Sequence, residues 1–169
     1  GVLILIPLAV LEAAKLIADG SHGEPGLGEL LLVDVGGATT DVYSVAKGLP
    51  TKEGVTTAGL PEPYAKRSVE GDLGLFHNLD TLSCIAEQEN ALYDERKTDF
   101  ELKVEKLKEV LSIPEGADQT ECQLLLSRLA VKTAIDRHVG TVELVVTHNG
   151  EFWMQRGKDM TQIKTVIGA

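Results

Sequence analysis

Leu30-Leu-Leu-Val-Asp-Val-Gly-Gly-Ala-Thr-Thr-Asp-Val-Tyr-Ser-Val45 is the stretch whose reading decides the fold of this chain. Residues 30–35 form a short apolar run ending in an acid, the pattern of a strand buried on both faces. Gly36 and Gly37 break the run. Residues 39–46 are again rich in strand formers, and two strands around a double glycine predict a hairpin. Inside it, Asp34-Val-Gly-Gly-Ala-Thr-Thr-Asp41 holds residue types that phosphate chemistry needs. Glycine lets backbone N–H groups approach a phosphate closely, so Gly36 and Gly37 are candidate donors. The Thr39 hydroxyl, with Thr40 beside it, is a candidate partner for a terminal phosphate oxygen. Asp34, at the end of the buried strand, suits a hydrated Mg²⁺. Asp41 lies on the return strand, where its carboxylate would face Asp34, and a divalent cation would relieve their repulsion. Asp34 and Asp41 are therefore both the candidate catalytic pair and the candidate metal ligands. An ordinary hairpin, with Asp34 as a turn cap, is the alternative that the residues leave open.

Working outward, the 169 residues suffice for one domain with a real core. Aromatics make up 4% of the chain, so that core must rest on Leu, Val, Ile and Ala. With 26 acidic and 16 basic residues the net charge is −10, and no basic stripe offers itself to a nucleic acid. A nucleotide remains compatible, because N–H groups and a metal ion can neutralise its phosphates. The greasy start, Gly1 to Val10, is too short to span a membrane and is followed by Glu12 and Lys15. Neither a membrane nor a signal peptide is expected. Cys84 and Cys122 lie far apart and read as two buried thiols in a reducing, cytoplasmic compartment. The first residue is not Met and the last is Ala169, so both ends read as cut points in a longer chain.

Periodicity fills in the rest. Residues 7–19 read as a helix with Val10, Ala13, Ala14 and Ile17 on one face, closed by Gly20. Residues 47–63 read as a connection with a strand near Val55, and 64–79 give no clear pattern. A helix is expected over 80–91. A charged one follows over 98–111, with Phe100, Val104, Leu107 and Leu111 on its stripe, ended by Pro114 and Gly116. Residues 119–139 form the strongest helical pattern, with Asp118 and Glu121 as a capping box and Gly140 at the end. Val142–Thr147 and Phe152–Gln155 predict a hairpin with a type I′ turn at Asn149-Gly150. Residues 163–167 predict a last strand. The fold class is α/β.

Residues 33–45 also carry a resemblance. They are similar to the second phosphate motif of the actin, sugar-kinase and Hsp70 superfamily, and more closely to the MutL family of glutamate mutase accessory proteins. Four further stretches resemble that family: Ala9-Val-Leu-Glu-Ala-Ala-Lys15, Gly59-Leu-Pro-Glu-Pro-Tyr-Ala-Lys-Arg67, Val69-Glu-Gly-Asp-Leu-Gly74, and Gln155-Arg-Gly-Lys-Asp-Met-Thr161 with Val166-Ile-Gly168. The resemblance implies an RNase H-like ATPase domain with a phosphate-binding β-hairpin and a helical insertion over 80–117. It implies ATP and Mg²⁺ as cofactors, and a chaperone-like role in reactivating an adenosylcobalamin-dependent mutase. By it, Asp34 would bind Mg²⁺ or its water, Gly36, Gly37 and Thr39 the phosphates, and Asp41 the metal shell. The superfamily's first phosphate motif and its adenosine motif are missing from residues 1–169. The chain therefore reads as one lobe of an ATPase, inactive alone. A small-molecule kinase and an actin-like polymerising scaffold are the competing readings.

Other residues are weaker candidates. Arg67, Glu70 and Asp72 form a charged cluster, read as a nucleotide-facing site or as a local ion pair. Lys158 and Asp159 read as turn residues. His22, His77, His138 and His148 show no metal-ligand spacing, and His138 reads as a cation stabilising a helix C-terminus. Gly23-Glu-Pro-Gly-Leu-Gly28 lacks the Lys-Ser/Thr of a P-loop and reads as a loop.

Overall fold

A computed structural model describes residues 6–89, 94–109 and 116–169. In chain order the elements are α1 (Ile6–Asp19), β1 (Gly20–Ser21), β2 (Glu24–Pro25), β3 (Leu30–Val35), β4 (Thr40–Val45), β5 (Val55–Thr57) and β6 (Ala65–Glu70), then α2 (Leu79–Gln88), α3 (Asp94–Glu109), α4 (Ala117–His138), β7 (Thr141–Thr147), β8 (Gly150–Arg156) and β9 (Thr165–Gly168). They group into two compact units. One takes in the described residues up to Val33, with Val42–Ser68 and Arg137–Ala169. The other takes in Asp34–Asp41 and Val69–Asp136.

The first unit is built on a four-stranded sheet in the order β6-β4-β3-β9. β3 and β4 are neighbours joined by four residues, which leaves an antiparallel hairpin as the possible connection. β9 lies on the other side of β3 and runs parallel to it, from Leu30↔Thr165 to Val33↔Gly168. Leu30 to Val33 are all buried, as a double-faced strand requires. Leu30, Leu32, Tyr43 and Val45 make one core with Ala14 and Ala18 of α1, flanked by Val10, Leu11, Ala65 and Ile167. The inner face of α1 is thus 10, 11, 14 and 18. The expected Ala13 and Ile17 are exposed, because a helix apolar on two sides does not declare its face through periodicity. The glycine loop expected at 20–29 contains the short β1–β2 ladder. It ends α1 by giving the N–H groups of Leu27 and Gly28 to the carbonyls of Ile17 and Ala18.

A second sheet of this unit has the order β5-β8-β7, with β5 parallel and β7 antiparallel to β8. The β7–β8 hairpin corrects one expectation. Thr147 pairs with Gly150, so the turn residues are His148 and Asn149. Neither has the positive φ of a type I′ turn, and Gly150 supplies it one place later with φ 127°. β6 was not legible, since its run Ala-Lys-Arg-Ser-Val-Glu alternates too weakly to declare a strand.

The second unit holds α2, α3 and most of α4. Leu79, Leu82 and Ala86 of α2 are buried, as are Phe100, Val104 and Leu107 of α3. Leu111 and Pro114 lie outside the described residues. Helix α4 starts at Ala117, so Asp118 falls inside the first turn and is not the residue before it, as a capping box would need. Its carboxylate there still favours the helix dipole. The apolar residues of α4 spread round much of its girth, but full burial is confined to one side. Cys122, Leu126, Leu129, Ala130 and Ala134 form a buried stripe, while Leu124 is half exposed. Lys132 meets Glu89 at 2.8 Å, and Lys108 meets Asp80, linking the helices by surface pairs of small energy.

Candidate functional site

The turn at the tip of the β3–β4 hairpin is closed by the Gly36 N–H, which donates to the Thr39 carbonyl at 2.8 Å. Continued along the ladder, that register would set Asp34 opposite Asp41 on one face. Both acids are half-buried, and Thr39 Oγ1 donates to Asp41 Oδ2 at 3.2 Å. Among the described residues no three His, Cys, Asp or Glu side chains gather as a metal site. A cation at these two carboxylates would take the rest of its shell from water and phosphate, which is how Mg²⁺ is commonly held.

The tip is fixed by residues 73–78, just before α2. The N–H of Leu75 donates to the Gly36 carbonyl at 3.0 Å. Those of Phe76 and His77 converge on the Gly37 carbonyl at 2.8 and 3.1 Å. Buried Thr40 turns inward and donates its hydroxyl to the Leu73 carbonyl at 2.7 Å. The approach is close enough to require glycine twice. A Cβ on Gly37 would lie 2.4 Å from the Phe76 ring, and one on Gly74 would lie 2.3 Å from the Ala38 carbonyl carbon. Two residues named as phosphate contacts thus have structural duties: the Gly36 N–H closes the turn and the Thr40 hydroxyl anchors it. Gly74 and Phe76 were missed as parts of this site, although the run from Val69 to Gly74 was singled out for its resemblance.

A second polar cluster lies in the first unit. His138 is buried, with Nε2 2.8 Å from Ser44 Oγ and Nδ1 2.8 Å from Ser68 Oγ. Burial, aided by Lys66 and Lys158, lowers its pKa to about 4. It is therefore neutral at pH 7 and cannot be the cation expected at the helix end. Lys158 is not a turn residue in solvent. It is buried, with Nζ donating to the Tyr64 carbonyl at 2.7 Å, and desolvation lowers its pKa to about 8. Asp159 does shape a turn, accepting from the N–H and hydroxyl of Thr51 and of Thr161. Arg67 lies over the Tyr43 ring at 5.8 Å. Of the cysteines, Cys84 is exposed, contrary to expectation, and Cys122 is buried.

The profile of a family described as "MutL protein" matches residues 1–169. The chain belongs to the MutL family. It is 40% identical over 172 aligned positions to "Protein MutL" of Clostridium tetanomorphum, an alignment covering 99% of this chain and 37% of that relative. The chain thus spans little more than a third of the relative's length. No solved structure matches it. Membership extends over the stretches that carried the resemblance, from Ala9 to Gly168. Among the described residues, no helix of this family member is long and apolar enough to cross a membrane.

Proposed function

We propose that this chain carries the phosphate-binding hairpin of an ATP-dependent reactivating factor, which serves an adenosylcobalamin-dependent mutase in the cytoplasm. The observation that carries the reading is the hairpin tip: a glycine turn held rigid by residues 73–78, with an acid on each strand behind it. Preorganised N–H groups at such a turn suit phosphate oxygens. With Gly36 closing the turn, the donors would be the N–H groups of residues 37–39, while the Thr39 hydroxyl, which donates to Asp41, would hold that carboxylate in place. Asp34 would hold a hydrated Mg²⁺, and Asp41 would orient its water. Bound Mg²⁺ would neutralise charge on the phosphates. An RNase H-like arrangement is supported by the hairpin and the parallel β9 sharing one sheet. The choice of a mutase as client rests on the family.

The test uses a full-length family member that contains this segment, with an adenosylcobalamin-dependent mutase inactivated by damaged cobalamin. Mg-ATP should restore mutase activity, and Asp34→Asn should reduce both ATP hydrolysis and recovery about a hundredfold, a typical loss for a group positioning transition-state charge. Recovery without nucleotide, or an Asp34→Asn protein as active as the parent, refutes the reading. Phosphate transfer to a metabolite would favour the kinase alternative, and concentration-dependent filaments the scaffold.

A further inference from the structure

In the order β5-β8-β7, strand β7 has β8 on one side, and among the described residues no strand pairs with its other edge. Free edges carry unpaired N–H and C=O groups that recruit other strands, so monomeric proteins blunt them with charges, prolines, bulges or short length. Of these devices β7 has a single charge, Glu143. The strand is seven residues long, Thr-Val-Glu-Leu-Val-Val-Thr, without proline, and it pairs with β8 without a bulge from Thr141↔Arg156 to Thr147↔Gly150. Its one charge, Glu143, is paired with Arg156 at 2.9 Å. One face is apolar and uncovered. Val142, Leu144 and Val146 are 47%, 45% and 68% exposed, and Trp153, across from Leu144, is 49% exposed.

We propose that the free edge of β7 pairs antiparallel with β7 of a second copy of this chain, about a two-fold axis at Leu144. The strand's own sequence selects that occupant, because it reads nearly the same in both directions. Turned about Leu144, it sets Thr141 opposite Thr147, Val142 opposite Val146 and Glu143 opposite Val145. Even positions meet even positions, so the apolar face continues across the axis. The charges agree with this arrangement. No like charges come face to face, and each Glu143 keeps its Arg156. Leu144 meets its own copy at cross-strand distance. An isologous contact of this kind closes on itself and does not propagate into a filament. The inference does not depend on the nucleotide reading.

Sedimentation velocity of this chain at micromolar concentrations and above should detect a dimer. Leu144→Lys places two ammonium groups face to face and should weaken self-association by about tenfold or more. Leu144→Cys, in a Cys84→Ser background, should form an intermolecular disulfide under mild oxidation. Phe152→Cys, on the central strand β8, should not. Circular dichroism establishes that each variant is folded. A chain that stays monomeric throughout, a dimer indifferent to Leu144→Lys, or cross-linking as efficient at 152 as at 144 overturns the proposal. So does a monomeric full-length family member whose β7 edge is protected from hydrogen exchange, since the edge is then covered by its own chain.

Discussion

Between Ser44 and Ser68, His138 is buried in a way that disfavours an imidazolium, and this gives the protein a titration signature. The unfolded chain carries an ordinary imidazole near 6.5 and the folded one near 4, so the unfolded state binds more protons between those values. Stability from this site is full above the unfolded pKa and is lost as pH falls toward the folded one. Denaturation at pH 7 and pH 5 should show a loss of about 2 kcal/mol from this residue. His138→Gln should remove that part of the slope, and an unchanged slope in the variant would refute the assignment. The Lys158 ammonium is penalised in the fold at pH 7, a penalty relieved as pH rises from about 8 to 10.5. Burial also separates the two thiols. Cys84 should react with a thiol reagent in the native protein. Cys122, buried and pushed up to about 11 by desolvation, should react only after unfolding. Titration with and without denaturant checks this.

At the scale of elements, the hairpin tip is as good as the segment that clamps it. Gly74→Ala would drive a methyl group into the Ala38 backbone and displace residues 73–78. The expected cost is about 1–3 kcal/mol, with loss of protection of the Leu75 and Phe76 amides in hydrogen exchange. A variant of parental stability would show that the tip does not need this contact. In the helical unit, Leu126→Ala opens a cavity at a fully buried position of α4 and should cost about 2–5 kcal/mol by chemical denaturation. Leu124→Ala, on the half-exposed side, should cost far less. The contrast tests which stripe of α4 is the core face.

For the molecule as a whole, the chain matches 37% of its relative, and under the proposed reading the β3–β4 hairpin is one part of a larger nucleotide site. Titration of this chain with Mg-ATP should show no tight binding, and micromolar affinity would sink the half-site reading. How much was legible follows from the range of the interactions. The sequence by itself determined the β3–β4 hairpin, the helices, the short strand at Val55 and the family, because turn chemistry and periodicity act between near neighbours. The faces of α1 and α4, the strand β6, and the duties of Thr40 and Gly74 depend on distant partners. Thr40 meets Leu73, 33 residues away, and His138 meets Ser44, 94 residues away. Only the tertiary structure decided that His138 is neutral and Lys158 buried. A pKa is set by water removed and charges brought near, and for these residues most of both come from elements far along the chain.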